Sequence, residues 1–142
     1  MIMSAKIEYA GKAVLELALR QREQGSVRIA TIAKSQNIPK GFLLQLMIRL
    51  KNAGIVKSAR GKAGGYSLAK DPSFITLADI VRAVDEALLA RPEYKKGRRD
   101  PADKVLQEVW KSAHEELERQ LETVTLEDLK TKMTGGQMTY SI

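Results

Sequence analysis

The chain has 142 residues, of which 44% are apolar and 29% are charged. This composition predicts a globular protein of one domain, or a small domain with an appended element, and argues against disorder. There is no cysteine, which excludes disulfides, thiolate metal sites and cysteine nucleophiles. No apolar run is long enough to span a membrane or to form a signal peptide, so we expect a cytoplasmic protein.

The positive charge is concentrated in the first half of the chain. The net charge is +7, but residues 1–70 hold 13 lysines and arginines against 3 acids, whereas residues 71–142 hold 11 against 14. This asymmetry favours a polyanionic partner for the first half. A solvated basic surface would have the same composition, so both interpretations stay open on charge alone.

Apolar periodicity and turn residues predict a mainly helical chain with one small β-hairpin. In chain order, we expect helices over about 5–24, 30–36 and 39–53, strands over 55–59 and 65–69, and a helix over 77–90. Asp100 as N-cap and Pro101 as first residue then begin a long helix that runs to about residue 122. Thr125 begins a short last helix, and residues 134–142 are expected to form a loose tail.

The second and third predicted helices have the pattern of a helix-turn-helix. Ala33 is the small residue needed where the two helices cross, and Asn37, four positions later, tolerates the left-handed conformation of the turn. Ile38, Leu43 and Leu46 supply the inner apolar face. The alternative to a DNA-binding unit is an ordinary helical hairpin.

The outward face of the third helix carries side chains suited to base edges in the major groove. Lys40 suits guanine or phosphate, Gln45 suits adenine, and Leu44 suits a thymine methyl group. Gly41 would let the helix backbone come close to the DNA. The alternative for Leu44 is packing at the edge of the core.

The hairpin that follows the third helix makes the unit a winged helix. Arg60 at its tip suits the negative potential of a narrow minor groove, while Lys57 and Lys62 suit phosphates. A phosphate-binding loop is the other interpretation of this glycine-rich turn. However, the turn joins a strand to a strand and lacks the G-x-x-x-x-G-K-[ST] motif, so we do not favour that interpretation.

Several segments are similar to a known family. They are K-I-E-Y-A at 6–10, F-L-L-Q-L at 42–46, L-K-N-A-G-I-V-K-S at 50–58, R-G-K-A-G-G-Y-S-L-A at 60–69 and I-T-L-A-D-I at 75–80. In this order they resemble the Rrf2 family of winged-helix transcription regulators, typified by IscR, NsrR and CymR. The resemblance covers residues 3 to about 130.

The resemblance implies a homodimer in which each subunit binds half of an inverted repeat in double-stranded DNA. Residues of the recognition helix and the wing would contact the DNA, and the start of the first helix would approach its backbone. The residue patterns and the resemblance together predict a DNA-binding set of Lys6, Tyr9, Arg28, Pro39, Lys40, Gly41, Leu44, Gln45, Arg49, Lys57, Ser58, Arg60, Gly61, Lys62, Gly65 and Tyr66.

Two departures from the family bear on function. Many members bind an iron–sulfur cluster through three cysteines in the loop before the dimerisation helix, but residues 91–100 contain none. The chain therefore resembles cluster-free members such as CymR, a repressor of cysteine metabolism that binds cysteine synthase, and we expect no cofactor. Leu44 stands where many relatives carry a glutamate that would accept a hydrogen bond from cytosine, which leucine cannot do, so the resemblance does not imply the target site.

The long predicted helix carries a heptad-like apolar stripe, which is typical of a helix that pairs with a second copy. Packing of the stripe against the chain's own first helix is the alternative. The predicted dimer interface is Leu106, Val109, Trp110, Ala113, Leu117, Leu121 and Val124. The chain then divides into a winged-helix domain over 1–90, a basic loop over 91–100, the dimerisation helix and a short helix over 101–133, and a tail over 134–142.

Catalytic chemistry has little support in the sequence. His114 is the single histidine, lies off the apolar stripe and is expected at the surface, so no zinc site or catalytic pair is predicted. We predict a sequence-specific transcription regulator, not an enzyme, acting as a homodimeric repressor, with sulfur or cysteine metabolism as the process that the resemblance suggests. The resemblance implies control by a small effector or a protein partner. Loop 91–100 would touch an effector, a partner protein or flanking DNA, or would be a solvated linker.

Two other functions remain as alternatives. One is a protein-interaction subunit that docks on a metabolic enzyme such as cysteine synthase. The other is an architectural protein that binds DNA without sequence preference. The first predicts weak binding to DNA, and the second predicts an affinity that hardly changes with DNA sequence.

Overall fold

A computed structural model describes residues 4–60, 64–91 and 100–140. Helices predominate, and the two strands pair in an antiparallel hairpin with Val56 opposite Leu68 and Ala59 opposite Gly65. The elements are α1 (Ala5–Gln24), α2 (Ile29–Gln36), α3 (Lys40–Asn52), β1 (Val56–Ala59), β2 (Gly65–Leu68), a 3-10 turn (Pro72–Phe74), α4 (Leu77–Val84), α5 (Glu86–Leu89), α6 (Pro101–Thr123) and α7 (Leu126–Tyr140). This architecture confirms the predicted winged helix with a long C-terminal helix.

Helix α1 lies at the centre of the core. Its buried face includes Ala10, Ala13, Val14 and Leu17, and these small and medium side chains let other elements pack closely around it. Helices α2, α3, α4 and α7 and strand β2 all contact α1. The winged-helix elements and the last helix are therefore built on one shared core.

The helix-turn-helix has the predicted geometry. Asn37 has φ 53° and ψ 50°, the left-handed conformation, and its N–H donates to the carbonyls of Ala33 and Lys34 at the end of α2. Ala33 is buried at the crossing, and the three predicted inner residues Ile38, Leu43 and Leu46 are buried as well. The turn thus fixes the direction in which α3 leaves α2.

Two elements differ from the prediction. The helix expected over 77–90 is interrupted at Asp85, whose backbone is not helical and whose carboxylate accepts a hydrogen bond of 3.1 Å from the Ser4 hydroxyl. The expected tail from residue 134 was wrong up to Tyr140, because α7 continues to that residue. Residues 141 and 142, and residues 92–99 of the basic loop, lie outside the described part of the chain.

Helices α4 and α7 begin side by side with the same cap. Thr76 and Asp79 form a capping box at α4, and Thr125 and Asp128 form another at α7. Thr76 and Thr125 lie opposite each other in an antiparallel bridge, where the Leu77 N–H donates to the Val124 carbonyl at 3.0 Å. The junction between the winged helix and the C-terminal helices is thus held by backbone hydrogen bonds as well as by packing.

Candidate nucleic-acid interface

The exposed face of α3 presents polar, basic and apolar groups together. Lys40, Gly41, Leu44 and Gln45 are exposed, while the opposite face packs into the core through Leu43, Leu46, Met47 and Leu50. The helix contains no acidic residue along its whole length. Pro39, whose extended backbone precedes the first helical residue, is also exposed. The predicted recognition residues at the start of α3 therefore share one solvent-facing surface.

The wing is tied to the helix-turn-helix through the segment before α2. The Val27 N–H donates to the Tyr66 carbonyl and the Tyr66 N–H donates to the Val27 carbonyl, both at 2.8 Å. The Lys51 ammonium at the end of α3 donates to the Ser58 hydroxyl at 3.0 Å. These bonds place β1 and β2 beside α3 and align the two parts of the surface.

The wing adds positive charge beside α3. Lys57, Ser58 and Arg60 are exposed, whereas the Tyr66 side chain is half-buried and packs against the core. Arg28, just before α2, is exposed too. The other two predicted wing contacts, Gly61 and Lys62, lie outside the described residues.

Close packing of the backbone requires a glycine at position 65. A Cβ atom at this position would lie 2.5 Å from the Val27 carbonyl oxygen, which is closer than real contacts allow. Only a residue without a side chain lets β2 pair with the Val27 segment at this distance. Sequence reasoning placed Gly65 in the DNA-binding set but did not foresee this contact, because its partner lies 38 positions away.

Arg49, in the last turn of α3, contacts helix α4. Its guanidinium donates a hydrogen bond of 3.0 Å to the carbonyl of Val84, the last residue of α4. Arg49 and Lys6 line one cleft together with Asp85. The structure thus gives Arg49, a predicted DNA contact, a partner at the C-terminus of α4, where a cation is favoured by the helix dipole.

Tyr9 connects α1 to the start of α3. Its ring and that of Phe42 meet edge to face, with centroids 5.6 Å apart. Both side chains are half-buried against the core, and Lys6, one turn before Tyr9, is exposed. The contact fixes the recognition helix relative to α1, so Tyr9 has a positioning role whether or not it meets DNA.

Residues 3–132 match the protein family described as "Rrf2: Iron-dependent Transcriptional regulator". The chain belongs to the Rrf2 family. It is therefore a DNA-binding transcription regulator with a winged helix-turn-helix fold.

Individual relatives agree with this assignment to Rrf2. The slr0846 protein of Synechocystis sp. is 40% identical over 129 residues, covering 91% of this chain and 87% of that protein. The HTH-type transcriptional regulator IscR of Klebsiella pneumoniae is 38% identical over 130 residues, with 91% and 79% coverage. The structure of CymR, the global cysteine regulator of B. subtilis, superposes with a TM-score of 0.78 at 33% identity, covering 91% of this chain and 95% of that one.

The description of the Rrf2 family names iron, but the side chains of this protein do not match the ligands that an iron–sulfur cluster requires. Protein ligands of such clusters are mainly cysteine thiolates, and the sequence has no cysteine. Within residues 4–60, 64–91 and 100–140, no three histidine or acidic side chains are grouped so that they could hold a metal ion.

The predicted dimer interface of this Rrf2 protein divides into two parts. Leu106, Val109 and Trp110 are at least half exposed, and Ala113 is exposed as well. Farther along α6, the stripe turns inward, with Leu121 buried in the core and Leu117 packed against it. Val124, the C-cap residue that follows α6, is half-buried. Leu121, also predicted as an interface residue, is 5% exposed and belongs to the chain's own core.

Charged groups join α4 to α6. The Arg82 guanidinium lies 2.7 Å from the Glu122 carboxylate and 3.8 Å from that of Glu118. His114, expected at the surface, has a side chain only 14% exposed, with Nε2 3.6 Å from the Glu118 carboxylate. The two Arg82 contacts connect the winged helix to the inner half of α6, while the His114 contact lies within α6. Among the described residues, no helix is long and apolar enough to cross a membrane.

Proposed function

We propose that this Rrf2 protein is a homodimeric repressor that binds an inverted repeat. Helix α3 would lie in the major groove while the wing enters the adjacent minor groove. The observation that carries the proposal is the exposed face of α3, which has no acid and continues into the basic wing through the bond between Lys51 and Ser58. Since phosphate contacts supply much of the affinity for DNA, binding would weaken steeply with salt.

The exposed half of α6 supports dimerisation. Large apolar side chains at 105, 106, 109 and 110 are solvent-exposed in the single chain, and burial against a second copy would remove them from water. Two copies related by a twofold axis present two α3 helices in opposite directions. A palindromic operator is the DNA sequence that matches this symmetry.

The regulated process is proposed from the relatives. CymR, whose structure superposes on this chain, is described as a global cysteine regulator. We propose a role in sulfur or cysteine metabolism, without an iron–sulfur cluster and in the bacterial cytoplasm where the chromosome lies. A small effector or a partner enzyme would act by changing the distance between the two winged helices of the dimer.

Selection of genomic fragments by the purified protein at physiological salt tests this function. An inverted repeat among the recovered fragments would support a dimeric operator binder, and the genes beside it would indicate the process. Recovery of fragments without a shared motif would contradict sequence-specific binding.

Arg60→Ala tests the wing. Loss of a cation in the minor groove should weaken operator binding about tenfold and lower its salt dependence, with the oligomeric state unchanged. Arg119→Ala on α6, which removes the same charge away from this surface, should leave binding unchanged. Equal operator affinity of the Arg60 variant and the parent would show that the wing does not bind DNA.

A further inference from the structure

We infer that Leu44 and Ile48 form an apolar strip on α3 that reads thymine methyl groups in each half of the operator. The inference rests on the proposed function and makes it more specific, because it states which base the exposed apolar part of the helix selects. The two residues are called the apolar strip below.

The apolar strip is left in solvent by the fold. Leu44 is 42% exposed and Ile48 is 44% exposed, although both are large and branched. The core is filled from the same helix by four other apolar side chains, all of them buried. Because the strip residues are four positions apart, they lie next to each other on one helix face. Packing within the chain therefore gives no reason for two large apolar groups at these positions.

The residues around the apolar strip indicate what kind of partner it contacts. Lys40 and Gln45 are exposed on the same helix, and no carboxylate is present on it. Such a face fits an anionic partner with apolar points at its surface. The major groove meets this description, because phosphates border it and the C5-methyl group of thymine is its apolar feature. We therefore assign the strip to thymine rather than to an apolar protein surface.

The distance between Leu44 and Ile48 can be compared with the distance between successive bases of DNA. Four residues of α-helix correspond to about 6 Å along the helix axis. Successive bases of one strand are about 3.4 Å apart along the duplex axis. Leu44 and Ile48 are thus far enough apart to meet methyl groups of different base pairs. Burial of one methyl group from water is expected to contribute about fourfold to the affinity.

Replacement of thymine by deoxyuridine in the recovered operator gives a direct test. Deoxyuridine keeps every hydrogen-bonding group and removes only the C5-methyl. The parent protein should lose about fourfold in affinity at one thymine facing Leu44 and again at one facing Ile48. Leu44→Ala should bind the natural operator more weakly and lose its sensitivity to deoxyuridine at the first position only. Ile48→Ala should do the same at the second.

Two controls separate recognition from folding. Leu19→Ala shortens another exposed leucine, on α1, which is 36% exposed and should leave sensitivity to deoxyuridine unchanged. Leu44→Glu should lose the preference for thymine and favour cytosine, whose amino group donates to a carboxylate. The urea midpoint of each variant shows that it is folded before its affinity is compared.

The inference would be overturned if deoxyuridine changed the affinity at no position, or if Leu44→Ala and Ile48→Ala stayed as sensitive as the parent. Failure of the proposed function would look different. In that case no inverted repeat would be recovered, or Arg60→Ala would bind as the parent does, before the thymine experiment is reached.

Discussion

Gly65 lies where strand β2 passes against the segment that joins α1 and α2. A Cβ atom there would meet the carbonyl oxygen and carbon of Val27, at 2.5 and 2.6 Å, and both are backbone atoms that cannot rotate away. Gly65→Ala should therefore lower the free energy of unfolding by about 1–3 kcal/mol, as overpacking does elsewhere. Urea denaturation measures this loss, and the displaced wing should also weaken binding to DNA.

Gly41→Ala is the matched control for this substitution. A Cβ atom at Gly41 would meet open space, and the residue lies inside α3, where alanine is the better helix former. The same change should thus raise stability by about 1 kcal/mol at Gly41. If both variants were destabilised alike, close contact at Val27 would not be the cause.

Local chemistry decides which single residues can be predicted from the sequence. Asn37 was predicted as the left-handed turn residue because its conformation depends on its neighbours and its own side chain. The partner of Arg49, in contrast, is a carbonyl 35 positions away at the end of α4. No pattern near Arg49 contains that information, so its basic character alone placed it in the DNA-binding set.

Helix starts were predicted better than helix ends for the same reason. Asp100 caps α6, and the two threonines cap α4 and α7, through bonds that span only three residues. At the interruption after α4, in contrast, the Asp85 carboxylate accepts a hydrogen bond from Ser4, which lies 81 positions away in the sequence. Helix α7 continues through Gly135 although glycine has a low helix propensity.

The capping box of α7 gives the stability of this element a pH dependence. The Asp128 carboxylate accepts hydrogen bonds from the backbone and side chain of Thr125, which hold the pKa of Asp128 below its ordinary value of 3.8. Since the folded state favours the ionised form, this stabilisation is present above pH 3.8 and is lost as the pH falls through the lowered pKa. Asp128→Asn should therefore be less stable than the parent near neutral pH.

This difference should shrink on acidification. Urea midpoints at about pH 6 and about pH 3 measure the difference, because it changes only where the Asp128 carboxylate changes its protonation state. Asp71, whose pKa is also lowered by hydrogen bonds from Ser73, is present in both proteins, so the difference between them isolates Asp128. Glu108→Gln on α6 removes a carboxylate outside the capping boxes and should show no such trend. A gap that stayed constant with pH would contradict the assignment.

At the scale of the whole molecule, the apolar stripe of α6 has one part that is exposed to solvent and one part that packs inside the chain. The periodicity is the same from Leu106 to Leu121, so the sequence could not separate the exposed part from the part that packs inside the chain. Helix α4 packs against α6, and its Arg82 meets Glu118 and Glu122, which are contacts between distant segments. The described structure thus leaves the first half of α6 as the surface available to a second copy.

Trp110 is the side chain on which the proposed dimer depends most. It is 58% exposed in the single chain, so Trp110→Lys should leave the fold intact while placing a charge in the dimer interface. Loss of a buried tryptophan anchor should weaken dimerisation about 100-fold, as measured by sedimentation equilibrium. Leu19→Lys, at an exposed apolar position of α1, is the matched control and should remain dimeric.

The same variant connects dimerisation to operator symmetry. A monomeric Trp110→Lys protein keeps α3 and the wing, so it should still bind an isolated half-site with the affinity of the parent's single winged helix. Its affinity for the full inverted repeat should fall towards that of the half-site, because the second winged helix is no longer held at high effective concentration. A Trp110→Lys protein that stayed dimeric and bound the full repeat as tightly as the parent would place the dimer interface elsewhere. The exposed stripe of α6 would then be a surface for a different partner.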